Sequence, residues 1–316
     1  MIVIGIPIFN DWSSFAILAR ARNEVAPTLP EPVTSSAIND GSTLPASSAK
    51  IGALPQLHAI APVTLNGNLG PQRAIASGIS GCVRRGNFPA VPVMDGHRED
   101  APSDSGPMLQ SLPAHRTSPI VGSRAKRSEK LFFRFCYAVD KRIFRSLTGE
   151  SFDFGYFGLR PLDAARCIAY LPDAWNHFAA TIMKSPVPLP RIATQRYAGS
   201  SSMNLVGLVM HGLSAIAVVS DRVLTRLLRL RGLASLLALT SSTTAVFLRI
   251  FTNLAIPGRA ANVIGLSGLL FFQSLALLAV IFFSNLSNCS SVPFVPAVHS
   301  TVLVAQSANF PSHGDF

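Results

Sequence analysis

From Ala260 to Leu286 the chain carries no Asp, Glu, Lys or Arg. A helix crossing the hydrocarbon of a bilayer needs about 20 apolar residues, so this run is long enough to span. The stretch after Arg231 is also uncharged as far as Leu248, although Thr240-Ser-Ser-Thr-Thr244 softens it. Hydroxyls of this kind can bond back to helix carbonyls, which keeps the stretch a second candidate span. Charged residues make up 14% of the chain and lie almost entirely ahead of these runs. The pattern predicts a water-soluble domain followed by two membrane helices.

Charge then bears on partners and sidedness. A formal net charge of +11 is compatible with nucleic acid, but no nucleic-acid-binding motif accompanies it. A basic domain held against an anionic leaflet explains the charge equally well. Leu205 to Leu230 is amphipathic with Arg222, Arg226 and Arg229, as expected of helices lying in the interface. Arginines precede the first span and no Lys or Arg follows Arg259, which favours a multi-pass membrane protein with its soluble domain on the cytoplasmic side. Cys82, Cys136, Cys167 and Cys289 are widely spaced and form no CxxC or Cys/His metal pattern, so they read as reduced, mostly packed thiols.

Ahead of the spans, strand-like and helix-like stretches alternate. Met1 to Phe9 is apolar and β-branched, Asn10 to Ser14 can cap a helix reaching about Glu24, and Val33 to Ile38 is a second strand. His58 to Leu65 predicts a third strand, Asn68 to Arg73 opens a helix to about Cys82, and Phe88 to Met94 predicts a fourth. Such alternation is the signature of an α/β fold with a largely parallel sheet covered on both faces. After the fourth strand come Asp95, His97 and Glu99, alternating along an extended segment where open α/β sheets bind ligands. Their side chains suit Mg²⁺ or Mn²⁺. A solvated acidic turn would read the same way. Trp175, Asn176 and His177 fall on a predicted helix, with His177 as a packing residue.

Ile4-Gly-Ile-Pro-Ile-Phe-Asn-Asp11, Ile38-Asn-Asp-Gly-Ser42, Asn68-Leu-Gly-Pro-Gln-Arg-Ala-Ile-Ala76 and Met94-Asp-Gly-His-Arg-Glu-Asp100 stand in a characteristic order and spacing. With Ile120-Val-Gly-Ser-Arg124 and Gln195-Arg-Tyr-Ala-Gly-Ser-Ser-Ser-Met-Asn204, the set resembles family 2 glycosyltransferases. The likeness is to the polyprenyl-phosphate branch, similar to dolichol-phosphate mannosyltransferase and its undecaprenyl-phosphate relatives.

The resemblance implies a GT-A, Rossmann-like domain that binds a nucleotide-diphosphate sugar. It places Pro7, Phe9, Asn10 and Asp11 along the nucleotide base and ribose, with an N-capping Asp11 as the alternative. Asn39 and Asp40 stand for a pair of acids that help to hold the nucleotide, one of them now an amide. Asp95, His97 and Glu99 stand for the metal motif, with its middle carboxylate altered. Arg124 is implied to meet the lipid acceptor's phosphate, and Arg196 to face phosphate where Ser202 replaces the usual Lys. Tyr156 and Gly158 stand where the family carries Asn and Ser below the sugar.

The expected organisation is a GT-A domain over residues 1–204, juxtamembrane helices over 205–231, spans over 232–251 and 260–286, and a tail over 287–316. The expected activity is hexosyl transfer from a nucleotide sugar, a UDP-sugar in the first place, to a polyprenyl phosphate. Asp95, Arg124 and Arg196 would carry it with a divalent cation. The partners would be donor, lipid acceptor and bilayer, without nucleic acid, and a homo-oligomer is left open. A degenerate, non-catalytic relative is the alternative.

Overall fold

The computed structural model describes residues 1–46, 51–86, 88–96, 99–124, 131–150, 154–185, 187–194, 205–252, 258–290 and 292–307. In chain order the elements are β1 (Ile2–Ile8), α1 (Trp12–Val25), β2 (Val33–Asn39), β3 (Ala59–Leu65), α2 (Pro71–Arg85) and β4 (Ala90–Val93). They continue with α3 (Ser105–Gln110), β5 (Ile120–Arg124), α4 (Leu131–Thr148), β6 (Phe154–Pro161), α5 (Leu162–Ala169), α6 (Phe178–Lys184) and β7 (Arg191–Thr194). The last are α7 (Leu205–Val218), α8 (Ser220–Phe251), α9 (Arg259–Ser290), α10 (Pro296–His299) and β8 (Val304–Ser307).

Among the described residues eight strands form one sheet in the order β7-β5-β6-β4-β1-β2-β3-β8. β1, β2, β3 and β4 run parallel, whereas β6 is antiparallel to both β4 and β5. This is the mixed, Rossmann-like α/β arrangement expected from the motifs. β1 and β4 are apolar on both faces because helices cover both. Ile2, Ile4, Ile6 and Ile8 point to one side, where they pack with Trp12, Phe15 and Leu18 of α1 and Met108 and Leu109 of α3. Val3, Val91 and Val93 point to the other, against Ile75 and Ile79 of α2, Ile168 of α5 and Phe178 of α6. Each such aliphatic side chain, fully buried, contributes about 1.5–3 kcal/mol.

Local signals set the helix ends. Asp11 Oδ1 accepts the N–H of Ser14 at 3.1 Å and caps α1, as an Asp at this position is suited to do. Pro71 begins α2 and Gly86, in the left-handed region at φ 69°, ends it. The segment 172–177 differs from the helix expected there. Pro172–Trp175 is a 3-10 turn, and His177 is the N-cap of α6, its Nδ1 accepting the N–H of Ala180 at 3.0 Å.

The chain divides into two compact units. The first comprises residues 1–143, 150–218 and 293–316, so the sheet domain takes in α7 and the segment expected to be a tail. β8 in that segment pairs antiparallel with β3, Leu65 opposite Val304, and covers an edge that would otherwise be open. The second unit holds residues 144–149 and 219–292, chiefly α8 and α9. Where an interfacial helix followed by a span was expected, α8 is one 32-residue helix from Ser220 to Phe251. Isolated arginines do not interrupt a helix, and each of these is a good helix former.

Both long helices are apolar and long enough to cross a membrane, and little of either is buried within the protein. They face each other through small polar residues: Ser267 Oγ donates to Ser241 Oγ at 3.2 Å, and Ser242 Oγ donates to the Ile264 carbonyl at 3.4 Å. Thr240 and Thr243 turn their hydroxyls back onto the carbonyls of Leu237 and Leu239, each at 3.0 Å. These four hydroxyls are thus satisfied inside the helix pair.

Candidate functional site

β1, β2 and β4 end at the same edge of the sheet and deliver the motif residues there. Two close approaches draw the loops together. A Cβ on Gly96 would strike the carbonyl of Pro7, and one on Gly41, at φ +67°, would strike the backbone of Gly67. The loop after β4 therefore lies on the end of β1, and the loop after β2 lies on the one after β3. Only glycine permits either approach.

Asn10, the one described non-glycine residue with positive φ, joins the first loop to the second. Its Oδ1 accepts the N–H groups of Thr43 and Leu44 at 2.9 and 3.0 Å, and its own N–H donates to Ser42 Oγ at 3.0 Å. Asn39 Oδ1 accepts the N–H of Ser42 at 2.9 Å, closing the turn. Pro7 lies within β1, and Phe9 just beyond it is 44% exposed.

Asp40 is 2% exposed. Its carboxylate accepts the N–H of Leu69 on one oxygen and of Gly70 on the other, each at 2.8 Å. Burial raises its pKa above the ordinary carboxylate value, and the two N–H donors oppose that rise. Asp40 thereby fixes the start of α2 beside the site.

Asp95, at 5% exposure, stands two residues beyond the end of β4. Its backbone N–H donates to Asp100 Oδ2 at 3.0 Å, and the hydroxyl of Tyr156 on β6 lies 3.4 Å from its Oδ1. Asp100 is itself buried, and its charge acts on the wholly buried Arg160. Burial brings the Arg160 pKa down to about 9, with Asp100 opposing the fall. Arg160 Nη1 donates to the Gly158 carbonyl at 2.6 Å, and its guanidinium carbon stands 5.0 Å from the centroid of the Phe178 ring. Behind the first acid of the motif there is thus a second acid and a buried cation. Neither role is announced by the motifs: Asp100 stands in a charged run after Arg98 and Glu99, whereas Arg160 is a single charge between Leu159 and Pro161.

Tyr156 and Gly158 also gain a structural account. Tyr156 reaches Asp95, and a Cβ on Gly158 would strike the carbonyl of Ile120 on β5, so no serine fits that position.

Of the expected metal set, Asp95 and Glu99 are described, and His97 lies outside the described residues. Among the described residues no three of His, Cys, Asp and Glu come together. The oxygen donors Asp95 and Glu99 fit a hard divalent cation in kind. Arg196 and the side chain of Arg124 also lie outside the described residues, although the backbone of Arg124 ends β5 next to Thr194 of β7. Cys82 is buried and Cys167 exposed, both as free thiols, and the Cys136 and Cys289 side chains lie outside the described residues. Burial pushes the Cys82 thiol up to about 12.

His177 is fully buried, and its Nε2 lies 3.1 Å from Nε2 of His211 on α7. Because its Nδ1 accepts an N–H, a neutral His177 carries its proton on Nε2 and donates it to His211. Burial first, and the neighbouring His211 second, lower the His177 pKa to about 3.

No protein-family model matches the sequence, and no curated protein matches it. Solved structures do. Glucosyl-3-phosphoglycerate synthase from Mycobacterium tuberculosis, in complex with Mn²⁺, UDP and phosphoglyceric acid, is similar at 10% identity over 71% of this chain and 78% of that one, with a TM-score of 0.49. The same enzyme with phosphoglyceric acid is similar at 12% identity over 70% and 79%, with a TM-score of 0.48. S. aureus TarS is similar at 10% identity over 64% of this chain and 37% of that one, with a TM-score of 0.41.

Proposed function

We propose that the chain is a membrane-anchored glycosyltransferase that moves a hexosyl group from a nucleotide sugar, in the first place a UDP-sugar, to the phosphate of a polyprenyl lipid. The observation that carries the reading is the gathering of Phe9, Asp40 and Asp95 at the carboxyl edge of parallel strands, where α/β sheets bind ligands. Phe9 offers its open ring to the base. Asp40 holds the loop that shapes the nucleotide side of the crevice. Asp95 and Glu99, with His97 between them in sequence, would hold a divalent cation, Mg²⁺ or Mn²⁺, that neutralises charge on the departing diphosphate.

Asp100 and Tyr156 act on Asp95 from behind, fixing its backbone and one carboxylate oxygen so that the acid enters the crevice in one orientation. The acceptor phosphate is an anion at neutral pH, so its attack needs no general base, and positioning carries much of the rate. Arg124 and Arg196 are the cations assigned to phosphate. The apolar pair α8 and α9 suits an enzyme whose acceptor resides in the bilayer.

A non-catalytic reading rests on Asn39 and Asp40, both turned inward onto backbone N–H groups. One experiment separates the two. Labelled nucleotide sugars are incubated with membranes containing the protein and polyprenyl phosphate, and lipid-linked product is counted. Product above protein-free membranes supports transfer, whereas saturable nucleotide binding without product supports the non-catalytic reading.

A further inference from the structure

A cavity of about 370 Å³ lies in the sheet domain between the C-terminal half of α2 and the β3–β8 edge, lined among others by Val63, Gly81, Arg84, Arg85, Val304 and Ala305. Its volume falls in the range of small-molecule sites, roughly 300–1,000 Å³. It is separate from the crevice described above. α2 starts at that crevice, where Asp40 grips Gly70, and by Arg84 the helix has run about 20 Å away, at 1.5 Å per residue.

The cavity is built by identifiable features. A Cβ on Gly81 would meet only Arg84 Nη2, at 3.9 Å, so the missing side chain leaves open space under that guanidinium. Arg84 Nη1 donates to the Ala297 carbonyl at 3.3 Å and to Ser300 Oγ at 3.2 Å, which fastens the returning C-terminal segment as the opposite wall. Ser77 also lines the space, buried, with no hydrogen-bond partner for its Oγ among the described residues. The lining carries two guanidiniums and no acid among the described residues, beside an apolar floor of Val63, Val304 and Ala305.

We propose that this cavity binds a small phosphate monoester, its phosphate between Arg84 and Arg85 and its apolar group on Val63, Val304 and Ala305. Two guanidiniums match a dianion in charge and in paired hydrogen bonds. Because one wall is the segment that carries β8, the bound molecule ties that strand to α2.

The probe is phenyl phosphate, with phenol and inorganic phosphate as its separated halves, added to the full-length protein in detergent. Hydrogen exchange of α2 and β8 amides is the readout. Phenyl phosphate should slow exchange in both elements at concentrations where phenol and phosphate do not. Gly81→Leu, which fills the space, should weaken this at least tenfold while the thermal transition stays in place. Arg85→Gln, which fills no space, should weaken it comparably and serves if the leucine variant does not fold. Asp95→Asn should leave it unchanged. Equal protection by phenol, no protection by phenyl phosphate, or unaltered protection in Gly81→Leu or Arg85→Gln would overturn the proposal. So would its loss in Asp95→Asn, which would put the phosphate at the carboxyl-edge crevice.

Discussion

The hydroxyl of Tyr156 stands 3.4 Å from Asp95 Oδ1, joining an antiparallel strand to the first acid of the motif across 61 positions of sequence. The hydroxyl restrains the carboxylate without being needed for the fold, because the ring keeps its packing when the oxygen is removed. Tyr156→Phe is therefore expected to weaken cation binding by about twofold to tenfold, the value of a single hydrogen bond of about 0.5–1.4 kcal/mol, and to leave the thermal transition in place. Mn²⁺ titration of the two proteins decides it, and an unchanged affinity would remove Tyr156 from the site.

Asp100 has a heavier duty. It accepts the N–H of Asp95 and lies near enough to Arg160 to act on its charge, all in a buried setting. Asp100→Ala leaves a buried donor unmet and should lower unfolding stability by about 1–3 kcal/mol. Asp100→Asn keeps an acceptor for the N–H and should lose less. Thermal unfolding of the parent and both variants in one detergent gives the order, and equal stability for all would contradict it.

Acid sensitivity should trace to His177. Its pKa is about 3 in the folded protein against 6.5 for the unperturbed group, so between these values the unfolded chain binds more protons. Stability from this group is complete above pH 6.5 and is lost as pH falls, by about 1.4 kcal/mol per unit, hence about 2 kcal/mol at pH 5. His177→Asn keeps a side chain able to cap α6 and removes the titration. Its stability should fall less between pH 7 and pH 5 than that of the parent, and parallel losses in the two proteins would place the sensitivity elsewhere.

The strand β8 bears on topology. It pairs with β3 in the sheet that also contains β1, so the chain on either side of α8 and α9 belongs to one folded domain. Two spans satisfy that condition and one does not. Reporters fused after Phe316 and ahead of Met1 should therefore report the same side, expected to be the cytoplasmic one. Opposite sides would mean that only one of the helices crosses.

Much of this architecture was legible because its signals are local. β-branched runs and capping residues announced β1 through β4 with α1 and α2, and glycines marked the turns. Asp40 and Asp95 stood out as acids after strands. What escaped detection depends on partners remote in sequence. β8 is a four-residue strand beyond the membrane runs, too short for alternation to register, and it is held by a partner about 240 positions earlier. Asp100 reads as one more acid in an acidic turn until the fold places Arg160 near it. His177 was recognised as a packing residue, but its cap on α6 and its pairing with His211 need the packing of α6 on α7 to become visible.

The most direct test is the transfer reaction itself in parent and Asp95→Asn protein. Membranes carrying each are given polyprenyl phosphate and a labelled UDP-sugar, with Mg²⁺, with Mn²⁺ or with chelator, and lipid-linked label is measured against time. The parent should form product only with a divalent cation, and more with Mn²⁺ because His97 replaces an oxygen ligand in the motif. Asp95→Asn, which loses a ligand rather than a supporting contact, should fall at least about a hundredfold. Equal rates in parent and variant would contradict the assignment of Asp95 to the cation, and a parent inactive with every nucleotide sugar and either metal would contradict the transferase.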